Sequence, residues 1–226
     1  MAKNNLIEKQ ENRGFFGRRL GRRLNKSREQ LIQESLNEFG IDADTPAVHA
    51  PTWMEIGFGD GHHLAGLIER YPDINFIGIE PYINGMGNFL YRIRDMEAPK
   101  VQVHMDDAIP LLHKMADGCL ERLYVLNPDP WPKTRHHKRR IINQEHLDLF
   151  SRLLKPGSWL VMATDVDDLA EWMVTECSKH PDFEWTAESS EDWTIAPDWW
   201  ETTTRYAQKG LDAGRRESYL IFEKKA

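Results

Sequence analysis

The sequence predicts an α/β fold: one mostly parallel, doubly wound sheet of seven strands with helices on both faces. Three observations predict it. Short apolar segments alternate with segments of helical period from residue 52 onward, the pattern of parallel strands joined by helical crossovers. A glycine-rich turn, Glu55-Ile-Gly57-Phe-Gly59-Asp-Gly61, follows the first apolar segment and opens the next helix. A chain of 226 residues suits one domain with a single core.

The elements follow in order. Residues 1–25 form a basic arm. Residues 1–30 hold nine Lys/Arg against three Glu, and glycine alternates with arginine from Arg13 to Arg23 without an apolar period. Such a segment is expected to be mobile or ordered by a partner, apart from the domain at 26–226. Ser27 is a candidate N-cap for a helix whose apolar face is Leu31, Ile32, Ser35, Leu36 and Phe39, ended by Gly40. Strand and helix then alternate: Trp53–Ile56, His62–Arg70, Asn75–Ile79, Tyr82–Asp95, Val101–His104, Ala108–Met115, Arg122–Leu126, Asn143–Leu154, Ser158–Ala163 and Asp167–His180. Phe183–Ala187 and Ser218–Glu223 read as two final strands. Between them Ser189–Gly214 is long and polar, with Trp193, Trp199 and Trp200. A loop of that length is more often functional than idle; its tryptophans read as buried anchors in preference to a lid.

Composition narrows the function classes. Two cysteines, Cys119 and Cys177, exclude a disulfide framework and a Cys-based zinc site, and no metal is expected. No apolar run is long enough to span a membrane, and the N-terminus lacks a secretory h-region. A cytoplasmic location follows; monomer and homodimer both stay open. Net charge is −7, yet Lys133, Arg135, Lys138, Arg139 and Arg140 cluster with His136 and His137. A polyanion responds to local potential, so such a run on an acidic protein is a candidate nucleic-acid footprint.

The glycine turn has the spacing G-x-G-x-G, not the G-x-G-x-x-G that presents a helix N-terminus to a dinucleotide pyrophosphate. S-adenosylmethionine, which has no phosphate, suits it better. That cofactor asks for a close backbone at Gly57, Gly59 and Gly61, an acid for its ammonium at Glu55, and a carboxylate for the ribose diol at Glu80. Asp107 and Ala108 follow the third strand, where the adenine edge would lie. Ligands of open α/β sheets bind beyond the carboxyl ends of the strands, where all these residues fall.

Strand four runs into Asn127-Pro-Asp129-Pro-Trp131-Pro-Lys133. Three prolines in five residues stiffen the backbone and remove donors, so Asn127 and Asp129 are expected to be held over the cofactor. The cationic run then leads away, as suits a base inserted from a nucleic-acid strand. This block and its basic tail through Arg140 resemble the bacterial tRNA (guanine-N7)-methyltransferases. Glu55–Gly61, Ile77–Glu80, Thr164-Asp165 and Thr204–Gly210 resemble that family's other blocks in order. The resemblance spans residues 13 to 223. It implies a Rossmann-like class I methyltransferase domain that uses S-adenosylmethionine to methylate N7 of the variable-loop guanine (position 46) of tRNA. Glu55, Glu80, Asp107 and Asp129 match the family's cofactor-contacting acids, and Asp129 its proposed catalytic residue. Lys133, Asp165 and Thr204, Arg205, Tyr206 and Ala207 match substrate positions; Arg135, Arg139 and Arg140 are read as phosphate contacts. Two departures stand out: Asn127 where the family usually has a hydrophobic residue, and Ala207 where it commonly has Glu. Two other readings stay open, an exocyclic-amine nucleic-acid methyltransferase and a non-catalytic RNA-binding protein on the same fold.

Overall fold

The computed structural model describes residues 17, 19, 21, 23–200, 210, 212 and 214–226. Most of the basic arm and the Thr204–Ala207 block lie outside the described residues.

The first helix, α1 (Lys26–Phe39), is capped by Asn25, whose side chain accepts from the Arg28 amide at 2.9 Å. Asn25, not Ser27, is therefore the N-cap. Its extended backbone aims the side-chain oxygen at the orphan donors of the first turn. Strands and helices then alternate: β1 (Thr52–Ile56), α2 (His62–Arg70), β2 (Asn75–Ile79), α3 (Ile83–Ile93), β3 (Val101–His104), α4 (Ala108–Leu112), β4 (Leu120–Leu126), α5 (Gln144–Leu153), β5 (Leu154–Thr164), α6 (Asp167–Lys179), β6 (Phe183–Trp185), α7 (Glu191–Thr194) and β7 (Ser218–Lys224). A 3-10 helix at Thr134–Arg139 precedes α5. Strand β5 begins four residues earlier than the sequence suggests. Leu154 pairs with Leu120 across a register shift, which absorbs the Pro-Gly pair.

The sheet order is β3-β2-β1-β4-β5-β7-β6, parallel from β3 to β5, with β7 antiparallel to both of its neighbours. The chain winds outward through β1, β2 and β3, then returns to place β4 on the other side of β1. That reversal opens a crevice beyond the carboxyl ends of β1 and β4.

Strand alternation builds two cores. Met54, Ile56, Leu123, Val125, Leu160, Met162 and Phe222 point to one face, under α4, α5 and α6. Trp53, Tyr124, Leu126, Val161, Ala163 and Ile221 point to the other, under α1, α2 and α3. Both faces of the central strands are buried, which is why they read as continuous apolar runs. On the second face the Arg122 guanidinium lies 4.2 Å from the Trp53 ring, 4.8 Å from Trp159 and 5.2 Å from Trp199. Trp200 packs on Tyr219 at 4.9 Å and on His63 at 5.8 Å. These contacts make Trp199 and Trp200 anchors of the loop, and Trp193 packs against the opposite core. No helix among the described residues is long and apolar enough to cross a membrane, and no cluster there could hold a metal ion.

Candidate active site

A cavity of about 500 Å3 occupies the crevice. Ile56 and Gly57 reach it from β1, Ile79, Glu80 and Tyr82 from β2, and Asp107 and Ala108 from the turn after β3. Asn127, Asp129, Trp131, Lys138 and Arg139 reach it from the segment after β4.

The turn after β1 is built on glycine because the backbone is left-handed at Gly57 (φ +75°) and Gly61 (φ +70°), a region costly to residues with a Cβ. A Cβ at Gly61 would also collide with the Phe89 ring, whereas one at Gly57 would meet nothing within 4 Å. Gly57 therefore keeps the cavity mouth open, and Gly61 lets α2 seat against α3. Gly59 has a third task, donating its amide to Glu80 Oε2 at 2.6 Å.

Glu80 is 7% exposed. Its other oxygen accepts the Tyr82 amide at 2.8 Å. Burial pushes its carboxyl up to about 7, against the pull of the two amides, with a further push from Asp129 and Glu55. Asp107 caps α4 by accepting the Ile109 amide at 3.2 Å. Beside it, Asp106 pairs with Arg19 of the arm at 2.9 Å, and the Ile83 amide donates to the Arg19 carbonyl at 3.1 Å. Gly17 lines the cavity, so the described part of the arm packs at its mouth.

Glu55 does not line the cavity. Alternation along β1 turns it to the face of Trp53, where it is 2% exposed and bonds His63 Nδ1 at 2.8 Å. Asp129 sits at the cavity wall, and desolvation there raises its carboxyl above the ordinary aspartate range.

The segment from Asn127 to Arg140 is held at several points. Asn127 and Trp131 have left-handed backbone, φ +47° and +44°. The Asn127 amide donates to the Ala163 carbonyl at 2.8 Å. The Trp131 ring lies 5.0 Å beneath Arg139 and 5.9 Å from His136. Arg140 departs from the expected exposed phosphate contact. It is 1% exposed, donates to the Pro130 carbonyl at 3.0 Å, pairs with Asp168 and covers Trp172 at 5.0 Å. Arg140 caps the end of the 3-10 helix, and its side chain turns inward. Lys133, Arg135 and Lys138 stay exposed. Asp165 is buried and accepts from Arg215 Nε at 2.6 Å.

A family model described as a putative methyltransferase matches residues 49–219. A tRNA (guanine-N(7)-)-methyltransferase of Roseobacter denitrificans is 40% identical over 225 residues, covering 93% of this chain and 95% of that one. Those of Chelativorans sp. and Brucella abortus are 38% and 39% identical, each covering 92% of this chain and 94% and 93% of theirs. The chain belongs to the tRNA (guanine-N(7)-)-methyltransferase family. Solved structures support the fold alone. An antibiotic-related methyltransferase matches with a TM-score of 0.51 at 16% identity, covering 91% of this chain and 97% of that one. A precorrin-6y C5,15-methyltransferase of Geobacter metallireducens matches with 0.51 at 14%, covering 91% and 94%.

The methyltransferase thus brings Gly57, Glu80, Asp107, Ala108, Asp129 and Arg139 together from four strand ends. Sequence reasoning missed Tyr82, His146 and Gly17 as lining residues, and Glu217, which bonds Asn127. Nothing in the local pattern marks them. Their positions depend on which chain ends meet across the sheet.

Proposed function

We propose that this chain transfers the methyl group of S-adenosylmethionine to N7 of the variable-loop guanine (position 46) of tRNA. The observation that carries this reading is the convergence of Glu80, Asp107 and Asp129 on one largely apolar cavity at the strand ends. The lining fits a nucleoside that carries a sulfonium. Ile79, Ala108 and Val125 offer apolar walls to adenine, Glu80 offers lone pairs to a ribose diol, and the space before Gly57 is open.

When bound, S-adenosylmethionine supplies an electrophilic methyl on a sulfonium. Guanine N7 carries a lone pair and no proton, so the chain needs no obligatory general base. Its tasks are to place N7 in line and to exclude water, which can supply much of the acceleration. Methylation leaves a cationic base, and the Asp129 carboxylate at the cavity wall opposes that growing charge. Lys133, Arg135 and Lys138 present exposed cations to the phosphate backbone beside the entrance. Acting on tRNA, as its bacterial relatives are named to do, supports a cytoplasmic role.

The test incubates the protein with labelled S-adenosylmethionine and unmodified tRNA transcripts, then digests and identifies the methylated nucleoside. 7-Methylguanosine mapped to the variable loop is expected. A methylated exocyclic amine would overturn the assignment of N7, and tRNA binding without methylation would overturn the enzymatic reading.

A further inference from the structure

Asn127 is the last residue before the proline-stiffened segment that carries Asp129. Its left-handed backbone sets the direction in which that segment leaves β4. Asparagine tolerates the conformation better than most residues but is not held there by intrinsic preference. Its side-chain Nδ2 donates to Glu217 Oε1 at 2.7 Å. Glu217 is 6% exposed and does not line the cavity. It stands one residue before β7, ninety positions along the chain from Asn127.

Burial pushes the Glu217 carboxyl above the ordinary glutamate range, and the groups around it act in both directions. Tyr219 on β7 hydrogen-bonds it, His63 on α2 attracts it, and Asp165 at the end of β5 repels it. Asp165 is itself occupied by Arg215, two residues before Glu217. Arg215 and Glu217, two residues apart in the segment entering β7, therefore tie it to two neighbouring strand ends, that of β5 through Asp165 and that of β4 through Asn127. Burying a carboxylate is costly unless it is well bonded, and here it accepts from the side chain at the start of the reaction segment.

We propose that Glu217 is a positioning residue for methyl transfer: through Asn127 it sets the path of residues 128–131 and so the place of Asp129 in the cavity. The inference rests on the methyltransferase reading above. It assigns no contact between Glu217 and cofactor or RNA.

The experiment exchanges the two partners. Asn127→Asp sets two carboxyl groups against each other; Asn127→Asp with Glu217→Gln restores one amide and one carboxylate in reversed order. Single-turnover methylation of a tRNA transcript is measured beside equilibrium binding of S-adenosylmethionine and thermal stability, with wild-type activity established first. A wild type without 7-methylguanosine product would refute the underlying reading and leave the pair untouched as a structural bond. With an active wild type, Asn127→Asp is expected to slow the step at least ~10-fold, the scale on which small displacements act, with cofactor affinity within about twofold. The exchanged pair is expected to recover most of the rate. An exchanged pair as slow as Asn127→Asp, or a loss confined to stability or cofactor binding, would overturn the proposal. Should Asn127→Asp not fold, Glu217→Gln with Asn127→Leu decides. The two singles and the double must then slow the step by the same factor, and independent multiplicative losses would refute the coupling.

Discussion

At the scale of single residues the site is two carboxyls with raised affinity for protons and different tasks. Among the described residues no amide donates to Asp129, and desolvation alone raises its carboxyl. Asp129→Asn removes charge while keeping shape. It is expected to cut turnover on the order of 100-fold, the range for losing one transition-state electrostatic partner, with little change in cofactor affinity; single-turnover rates beside binding isotherms check this. Glu80 titrates near 7 in the folded chain, against an ordinary value of 4.5. Between those two values the folded state holds a proton that the unfolded state has lost, so stability of the ligand-free protein falls as pH rises through that window. Cofactor affinity moves the other way, because the carboxylate is the better acceptor for a ribose diol. Melting temperature and affinity measured from pH 4.5 to 8 should show opposite slopes, and Glu80→Gln should remove both.

At the scale of elements, the 3-10 helix at Thr134–Arg139 divides the basic run by direction. Its exposed side carries Lys133, Arg135 and Lys138, while Arg140 turns in to Pro130, Asp168 and Trp172. Arg140→Ala leaves an unfilled site against Trp172 and frees the Pro130 carbonyl. The exposed Asp168 is left in water, so the loss is moderate: about 2 kcal/mol, or roughly 4–8 °C in Tm. The salt dependence of tRNA binding should not change. A flattened salt slope with an unchanged Tm would instead put Arg140 on the RNA. The loop after β6 behaves similarly. Its tryptophans read as buried anchors in sequence, and so they pack: Trp199 closes an aromatic box around Arg122, and Trp200 packs on Tyr219 and His63.

At the scale of the whole molecule, an acidic protein presents a local cationic face beside the cavity mouth. Exchanging Lys133, Arg135 and Lys138 together for Ala should weaken tRNA binding at every salt concentration. It should also lower the slope of log K against log salt by roughly 2–3, at 0.7–0.9 per phosphate contact. Titrations between low and physiological salt read this directly. An unaltered slope would move the RNA footprint elsewhere.

The sequence by itself determined the α/β alternation, the seven strands, and the presence of three carboxylates at successive strand ends. These signals are local: a period, a glycine turn, a proline-rich block. It also carried the family, through the block from Pro128 to Arg140. Tertiary structure alone decided which of those side chains share a space. Glu55 and Glu80 both end strands, but alternation turns Glu55 to the α2 face and His63, while two backbone amides hold Glu80 beside the cavity. Arg139 and Arg140 are neighbours in one basic run, yet one lines the cavity and the other is buried. The Asn127–Glu217 bond joins residues ninety positions apart. It exists because the antiparallel β7 returns beside β5 and brings its start to the same sheet edge as the end of β4, a meeting that no local pattern of residues encodes.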